Sequence, residues 1–245
     1  MASASASGFL IIDKPAGCSS AAVVARIRRM LPRGVKVGHG GTLDPFATGV
    51  LPILVGREAT RLARWFLECE KEYSATLLLG TATDTLDCTG RVVHEAPVPV
   101  FEPALLTRIS GLLVGELAHE IPAFAATREE GKHRYLLARK GLPVRVMHKT
   151  VTIRSFQATR VSDVCVAFQV QCEAGTYVRS LGAMFARRLG TVGHLTSLVR
   201  VRSGPFVRKD AIPLSDIGSD GDVIRGLISP PTSMLESGHA SFARA

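Results

Sequence analysis

The sequence predicts an α+β fold. Helical and extended segments follow one another without regular β-α-β alternation, which disfavours a doubly wound sheet. Two late segments, 149–156 and 163–172, alternate apolar and polar residues and are rich in β-branched types, the pattern of strands. Apolar residues make up 46% of the 245, ample material for a core.

In chain order, residues 8–13 form a short apolar run that reads as a strand, and Lys14-Pro15-Ala16-Gly17 breaks it. Ser19 or Ser20 then caps a helix running to about Leu31, where Pro32-Arg33-Gly34 ends it. A glycine-rich loop spans 38–49, and 50–55 is apolar enough to be a buried strand. Residues 58–66 predict one helix with Arg61 and Arg64 outside, 72–79 a strand, and 81–90 a polar turn region. Helices are predicted at 103–113 and 134–140, strands at 149–156 and 163–172, and an amphipathic helix at 176–189 closed by Gly190. Residues 194–202 are the last strand predicted, and from Asp210 onward five acids, two arginines and frequent Gly, Ser and Pro predict either a loosely structured tail or the beginning of something cut short.

The formal net charge is +9, which points toward a polyanionic partner. The charge is also unevenly spread. Between Asp13 and Asp44, Glu130 and Asp163, and Glu173 and Asp210 lie 21 of the 30 Lys and Arg, with no acid inside any window. Three such blocks suit a surface that follows phosphates. The five cysteines are odd in number and contain no C-x-x-C, which fits a reducing cytoplasm better than a disulfide framework. The Ala/Ser-rich start lacks the basic and apolar regions of a signal peptide, and no apolar run has the length of a membrane span.

The glycine-rich loop is no P-loop, because no Gly-Lys-Ser/Thr follows Gly38-His39-Gly40-Gly41-Thr42, and it fails the G-x-G-x-x-G spacing. The seven histidines are dispersed, with no pair at helix-face spacing beside a carboxylate, so no metal site is expected. No G-x-S-x-G elbow occurs. One carboxylate, Asp44, follows small residues and precedes Pro45. Residue types alone allow an Asx-Pro turn or a carboxylate aimed at a ligand that glycines let come close.

Five ordered segments then carry a resemblance. Asp13-Lys14-Pro15-Ala16-Gly17-Cys18-Ser19-Ser20 resembles the first motif of the TruB family of tRNA pseudouridine-55 synthases, and Gly38-His39-Gly40-Gly41-Thr42-Leu43-Asp44-Pro45-Phe46-Ala47-Thr48-Gly49 resembles its catalytic motif. Lys71-Glu72-Tyr73 with the stretch from Gly80 to Gly90, Gly175-Thr176-Tyr177-Val178-Arg179-Ser180-Leu181, and Leu198-Val199-Arg200-Val201-Arg202-Ser203-Gly204-Pro205-Phe206 complete the set. The likeness runs from about residue 8 to 208.

The resemblance implies a pseudouridine synthase fold with a mixed, largely antiparallel sheet flanked by helices. It implies isomerisation of a tRNA uridine, in the TΨC loop of the T-arm, after the base is flipped out of its stack. Asp44 matches the family nucleophile, Arg179 the arginine that pairs with it, and Tyr73 the tyrosine that stacks on the base and moves a proton from it. His39 matches the histidine that fills the space a flipped base leaves. Lys14, Tyr177 and Leu198 match substrate-side positions, although loop support suits Lys14, and packing suits Tyr177 and Leu198, as well. No cofactor or metal is implied, and the expected enzyme is a cytoplasmic monomer.

Two departures stand out. Where many relatives have Pro-Pro-x-Tyr-Ser-Ala-x-Lys, this chain reads Ile121-Pro122-Ala123-Phe124-Ala125-Ala126-Thr127-Arg128, with Ala125 and Arg128 in place of Ser and Lys. Relatives usually continue into a small RNA-binding PUA domain, whereas 36 residues follow Lys209 here. The expected organisation is therefore a flexible tail at 1–7, a catalytic domain at 8–209, and a short tail at 210–245 without a full PUA domain. A non-catalytic tRNA-binding or folding factor on the same scaffold is the rival reading, disfavoured by the joint presence of Asp44, Tyr73 and Arg179.

Overall fold

The first apolar run becomes strand β1 (Gly8–Lys14), in a computed structural model that describes residues 7–129 and 131–227. The chain divides into two units, Met1–Lys71 with Arg200–Ala245, and Glu72–Val199. No change in composition marks this division. The α+β expectation holds, and most of the strand pairs are antiparallel.

In the first unit, β1 pairs antiparallel with β3 (Thr48–Val55) from Gly8 opposite Val55 to Lys14 opposite Gly49. Strand β2 (Val37–His39) pairs antiparallel with β3. Helix α1 (Ser20–Met30) starts where Ser19 Oγ accepts the Ala22 N–H, and it stops before Pro32. The helix predicted at 58–66 is broken in two, α2 (Gly56–Arg61) and α3 (Ala63–Glu68). At the break the Leu62 N–H bonds Ala59 O, a three-residue step. This tightening turns Ala59, Leu62 and Phe66 together into a core with Phe9, Ile11, Val50 and Leu54. Phe66 meets Phe9 edge-on at 4.7 Å and stacks on Phe206 at 5.7 Å. Burying each such side chain contributes about 1.5–3 kcal/mol.

Within the segment after Asp210, residues 212–226 are ordered. Strand β14 (Ile212–Pro213) pairs parallel with β1, Leu214–Asp216 makes a 3-10 turn, and α7 (Asp220–Gly226) follows. Leu214, Ile217 and Val223 are buried, and Arg26 Nη2 donates to Ile217 O at 2.8 Å. Three apolar residues scattered among Gly, Ser and Asp leave no periodicity to read, yet the free edge of β1 supplies a pairing partner. The parts of the expected tails at 1–6 and 228–245 lie outside the described residues.

In the second unit the strands run in the order β12 (Gly193–Ser203), β4 (Lys71–Leu79), β11 (Cys165–Cys172), β10 (His148–Ser162) and β7 (Gly115–Glu120). The strand β12 continues past Val199 into the first unit, where β13 (Phe206–Val207) pairs with its end through a turn at Gly204. The two strands predicted at 149–156 and 163–172 are one long hairpin, because β10 runs on to Ser162. Helices α4 (Pro103–Gly111) and α6 (Val178–Arg188) match their predictions closely. Helix α6 sits hard on the sheet: a Cβ at Gly182 would come within 2.7 Å of Leu195 Cδ2. The polar region at 81–90 conceals β5 (Thr81–Thr83), paired with β6 (Val92–Glu95). Two short strands, β8 (Arg128–Glu129) and β9 (Lys132–His133), lead into α5 (Arg134–Arg139).

Candidate active site

The loop between β2 and β3 carries Asp44, and its main chain is held on both sides of that residue. Before it, Ser20 Oγ accepts the Leu43 N–H at 2.8 Å and donates to Leu43 O at 3.1 Å. Ser20 is the first residue of α1, so the helix that begins after the first motif clasps the residue preceding Asp44. After it, Pro45 O accepts the Gly17 N–H at 2.8 Å and Lys14 Nζ at 3.4 Å. Leu43 and Ala47 are buried, which pins the loop from below, and Asp44 itself is half-buried.

Glycines permit this path. At Gly41 φ is +136° and at Gly49 +103°, conformations that side chains resist. Gly40 lies so close to Phe66 that a Cβ there would sit 2.5 Å from that ring's Cβ. The glycine-rich character is thus explained by packing and backbone geometry around the carboxylate.

Lys14 is fully buried, and its ammonium donates to Pro15 O at 2.8 Å and Cys18 O at 2.7 Å as well as to Pro45 O. Its geometry is that of loop support rather than of a group reaching into solvent. Burial lowers its proton affinity most; Cys18 and the Asp44 charge oppose that, and Arg200 reinforces it. His39, on β2, accepts the Gly41 N–H at Nδ1 at 3.3 Å. That bond needs an unprotonated Nδ1, so the proton of the neutral ring is on Nε2. Burial, then the nearby Arg200 charge, pulls its pKa below the usual 6.5. Lys14, His39 and Asp44 are therefore brought together in the first unit, with Arg200 among them.

The second unit holds the other residues singled out. Arg179, on the first turn of α6, is buried and donates to Thr85 O at 2.6 Å and Phe124 O at 2.9 Å. Its Nη1 lies 3.6 Å from Asp87 Oδ2. Asp87 is itself buried, with Oδ1 accepting the Thr89 N–H and both the Thr85 and Thr89 hydroxyls. Leu86 next to it has φ +62°, a strained conformation for a branched side chain. Hydrogen bonds between 86–88 and Leu195 on β12 hold that turn in place.

Tyr177 caps α6 and shares a 2.6 Å hydrogen bond with the Thr127 hydroxyl. Its N–H donates to His119 Nε2 at 3.0 Å, while His119 Nδ1 lies 3.0 Å from Lys149 O. The proton of neutral His119 is therefore on Nδ1, and burial keeps the ring less basic than usual. Tyr73 is half-buried on β4, and Leu198 is buried on the neighbouring β12.

Ser20, Arg200, Asp87 and His119 were not singled out in the sequence. Asp87 had a readable signal, an Asp flanked by threonines two residues away on either side, which is an Asx-turn pattern. Arg200 had a weaker one, a cation between the two apolar residues Val199 and Val201. Ser20 reads only as a candidate helix cap within the first motif, and no local pattern marks His119. Among the described residues no group of three or more His, Cys, Asp or Glu could hold a metal ion, and no helix is long and apolar enough to cross a membrane.

The family model described as "TruB family pseudouridylate synthase (N terminal domain)" matches residues 28–178. A tRNA pseudouridine synthase B of Geobacter sulfurreducens is 41% identical over 230 residues, which covers 93% of this chain and 75% of that protein. Another of the same name from Psychrobacter cryohalolentis is 38% identical over 215 residues, covering 86% of this chain and 60% of its relative. Among solved structures, a chain of a Cbf5-Nop10-Gar1 complex superposes with a TM-score of 0.65 at 30% identity, over 86% of this chain and 53% of that one. The chain thus spans three-fifths of the Psychrobacter relative and about half of the solved chain. Its glycine-shaped aspartate loop, the motifs in order along it and the extent of these matches together place it: the chain belongs to the TruB family of pseudouridylate synthases.

Proposed function

We propose that this protein isomerises a uridine of tRNA to pseudouridine, at position 55 in the TΨC loop, with Asp44 as nucleophile. The observation that carries the reading is the over-determined main chain around Asp44, clasped by Ser20 before it and by Lys14 and Gly17 after it. A carboxylate that must attack in line gains from having its backbone fixed before substrate arrives. Family membership supplies the reaction class.

In this reaction the bond from uridine N1 to the ribose breaks, the base turns, and a bond from C5 to the same ribose carbon forms. The proton leaves C5 as N1 acquires one, so the product is an isomer and no energy source is consumed. Asp44 forms the transient bond, to the base or to the ribose. Tyr73 stacks on the extruded base and moves its proton. Arg179 keeps the nucleophile charged, as the motif match implies, and Asp87 keeps Arg179 in place. His39, neutral, fills the gap left in the RNA; Tyr177 and Leu198 line the substrate side. The tRNA is engaged through its T-arm, by a monomer working in the cytoplasm.

The test is incubation of the purified protein with unmodified tRNA, followed by pseudouridine mapping at single-base resolution. Modification at the TΨC-loop uridine is expected. No modification sinks the catalytic reading and favours the folding-factor rival; modification elsewhere sinks only the site assignment.

A further inference from the structure

We infer that Arg200 is a positioning residue for the reaction, a buried clamp that joins the two ends of the Asp44 loop; this rests on the reading of Asp44 as nucleophile. Arg200 lies on β12 and is 1% exposed. A buried guanidinium must have its protons satisfied, and here main-chain carbonyls do it. Its Nε donates to Val50 O at 2.7 Å, Nη2 to Gly41 O at 3.1 Å, and Nη1 to Thr42 O at 3.4 Å. Gly41 and Thr42 immediately precede Leu43-Asp44, and Val50 lies in the buried run of β3 after it. One planar side chain therefore closes the loop across its base.

The main chain of Arg200 takes part as well. A Cβ on Gly49 would lie 2.2 Å from Arg200 O, so the strand presses directly on the far end of the loop. Gly41, at the near end, lies with its would-be Cβ 3.6 Å from Nη1. Both positive-φ glycines of the loop thus lie where Arg200 meets it. Lysine cannot reproduce this, because the contact needs a flat fork with donors on three sides.

The clamp also puts a fixed, desolvated positive charge under the loop. That charge lowers the proton affinity of His39 and of Lys14. It favours the neutral form of the histidine.

Arg200→Lys and Arg200→Met test this beside Arg64→Lys, a control in the same unit outside the three basic blocks, whose Nε bonds Glu68 on the surface. Two quantities are read: the single-turnover rate of pseudouridine formation with saturating unmodified tRNA, and amide hydrogen exchange across residues 40–50. Expected for Arg200→Lys is a rate loss of about 100-fold with tRNA affinity held within about threefold, since a displacement of about 1 Å at a reacting group has that effect. Exchange at 40–50 is expected to quicken while the β10–β11 hairpin stays protected. Arg64→Lys should retain the parent rate. If Arg200→Met fails to fold, Arg200→Lys decides. A full rate in Arg200→Lys, or unchanged exchange across 40–50, overturns the inference. An inert parent protein overturns the proposed function instead, and the exchange measurement still judges the clamp.

Discussion

The hydrogen bonds of Ser20, Lys14 and Arg200 hold main chain on either side of Asp44, and this fixes what substitution should do. Ser20→Ala removes both hydrogen bonds to Leu43 and leaves a buried N–H unsatisfied, at a cost of about 1–3 kcal/mol. The unfolding midpoint in urea should fall accordingly, and the single-turnover rate should fall with it even where tRNA binding is retained. His39 makes a separate prediction in pH. Its pKa is depressed in the folded chain by burial and by Arg200, so the folded form takes up a proton less readily than the unfolded form. Its contribution to stability is therefore complete above the unfolded value of 6.5 and declines as pH falls through and below it. An NMR titration of the imidazole should find His39 still mostly neutral at pH 6.5. A half-point at or above that pH would contradict the geometry at Gly41.

Elements built from periodic patterns were legible, and elements built from tertiary pairing were not. Helix α1 declared itself through the Ser19 cap and the Pro32 stop, and β10 and β11 through alternation. By contrast β5, β6 and β14 are two to four residues long, and each exists because a neighbouring edge was free to pair. The Leu62 break within 58–66 follows from which side chains the core accepts, a fact that no local window contains. Gly49→Ala would strain such a tertiary contact, because a methyl group would land 2.2 Å from Arg200 O in a strained backbone. Either β12 or the loop must shift, so destabilisation of about 1–3 kcal/mol is expected. Calorimetry should show a drop in Tm of several degrees; a Tm equal to the parent's would mean that the close approach is absent. Gly17→Ala, with open space around its would-be Cβ and only the φ of +83° against it, should cost less.

At the scale of the molecule, sequence placed the carboxylate, the motif order and the basic blocks, but neither the division into two units nor the residues that brace each cluster. Bracing residues such as Arg200 and Asp87 are identified by what they touch across long stretches of chain, Gly41 for the one and Arg179 for the other. Arg28, Arg29, Arg33 and Lys36, all exposed around the end of α1 and the start of β2, follow from the first acid-free window. If these blocks track phosphates, tRNA affinity should fall steeply with salt, with log K linear in log salt concentration. Replacing Arg29 and Arg33 together by Gln should flatten that slope by about 1–2 and leave the rate on bound tRNA unchanged. An unaltered slope would remove this face from the RNA interface. The measurement that bears most directly on the whole account is pseudouridine mapping of tRNA treated with the parent protein and with Asp44→Asn. The account predicts modification of the TΨC-loop uridine by the parent and a rate at least about 10⁴-fold lower in the variant, as for loss of a nucleophile. Equal modification by the two proteins would contradict it.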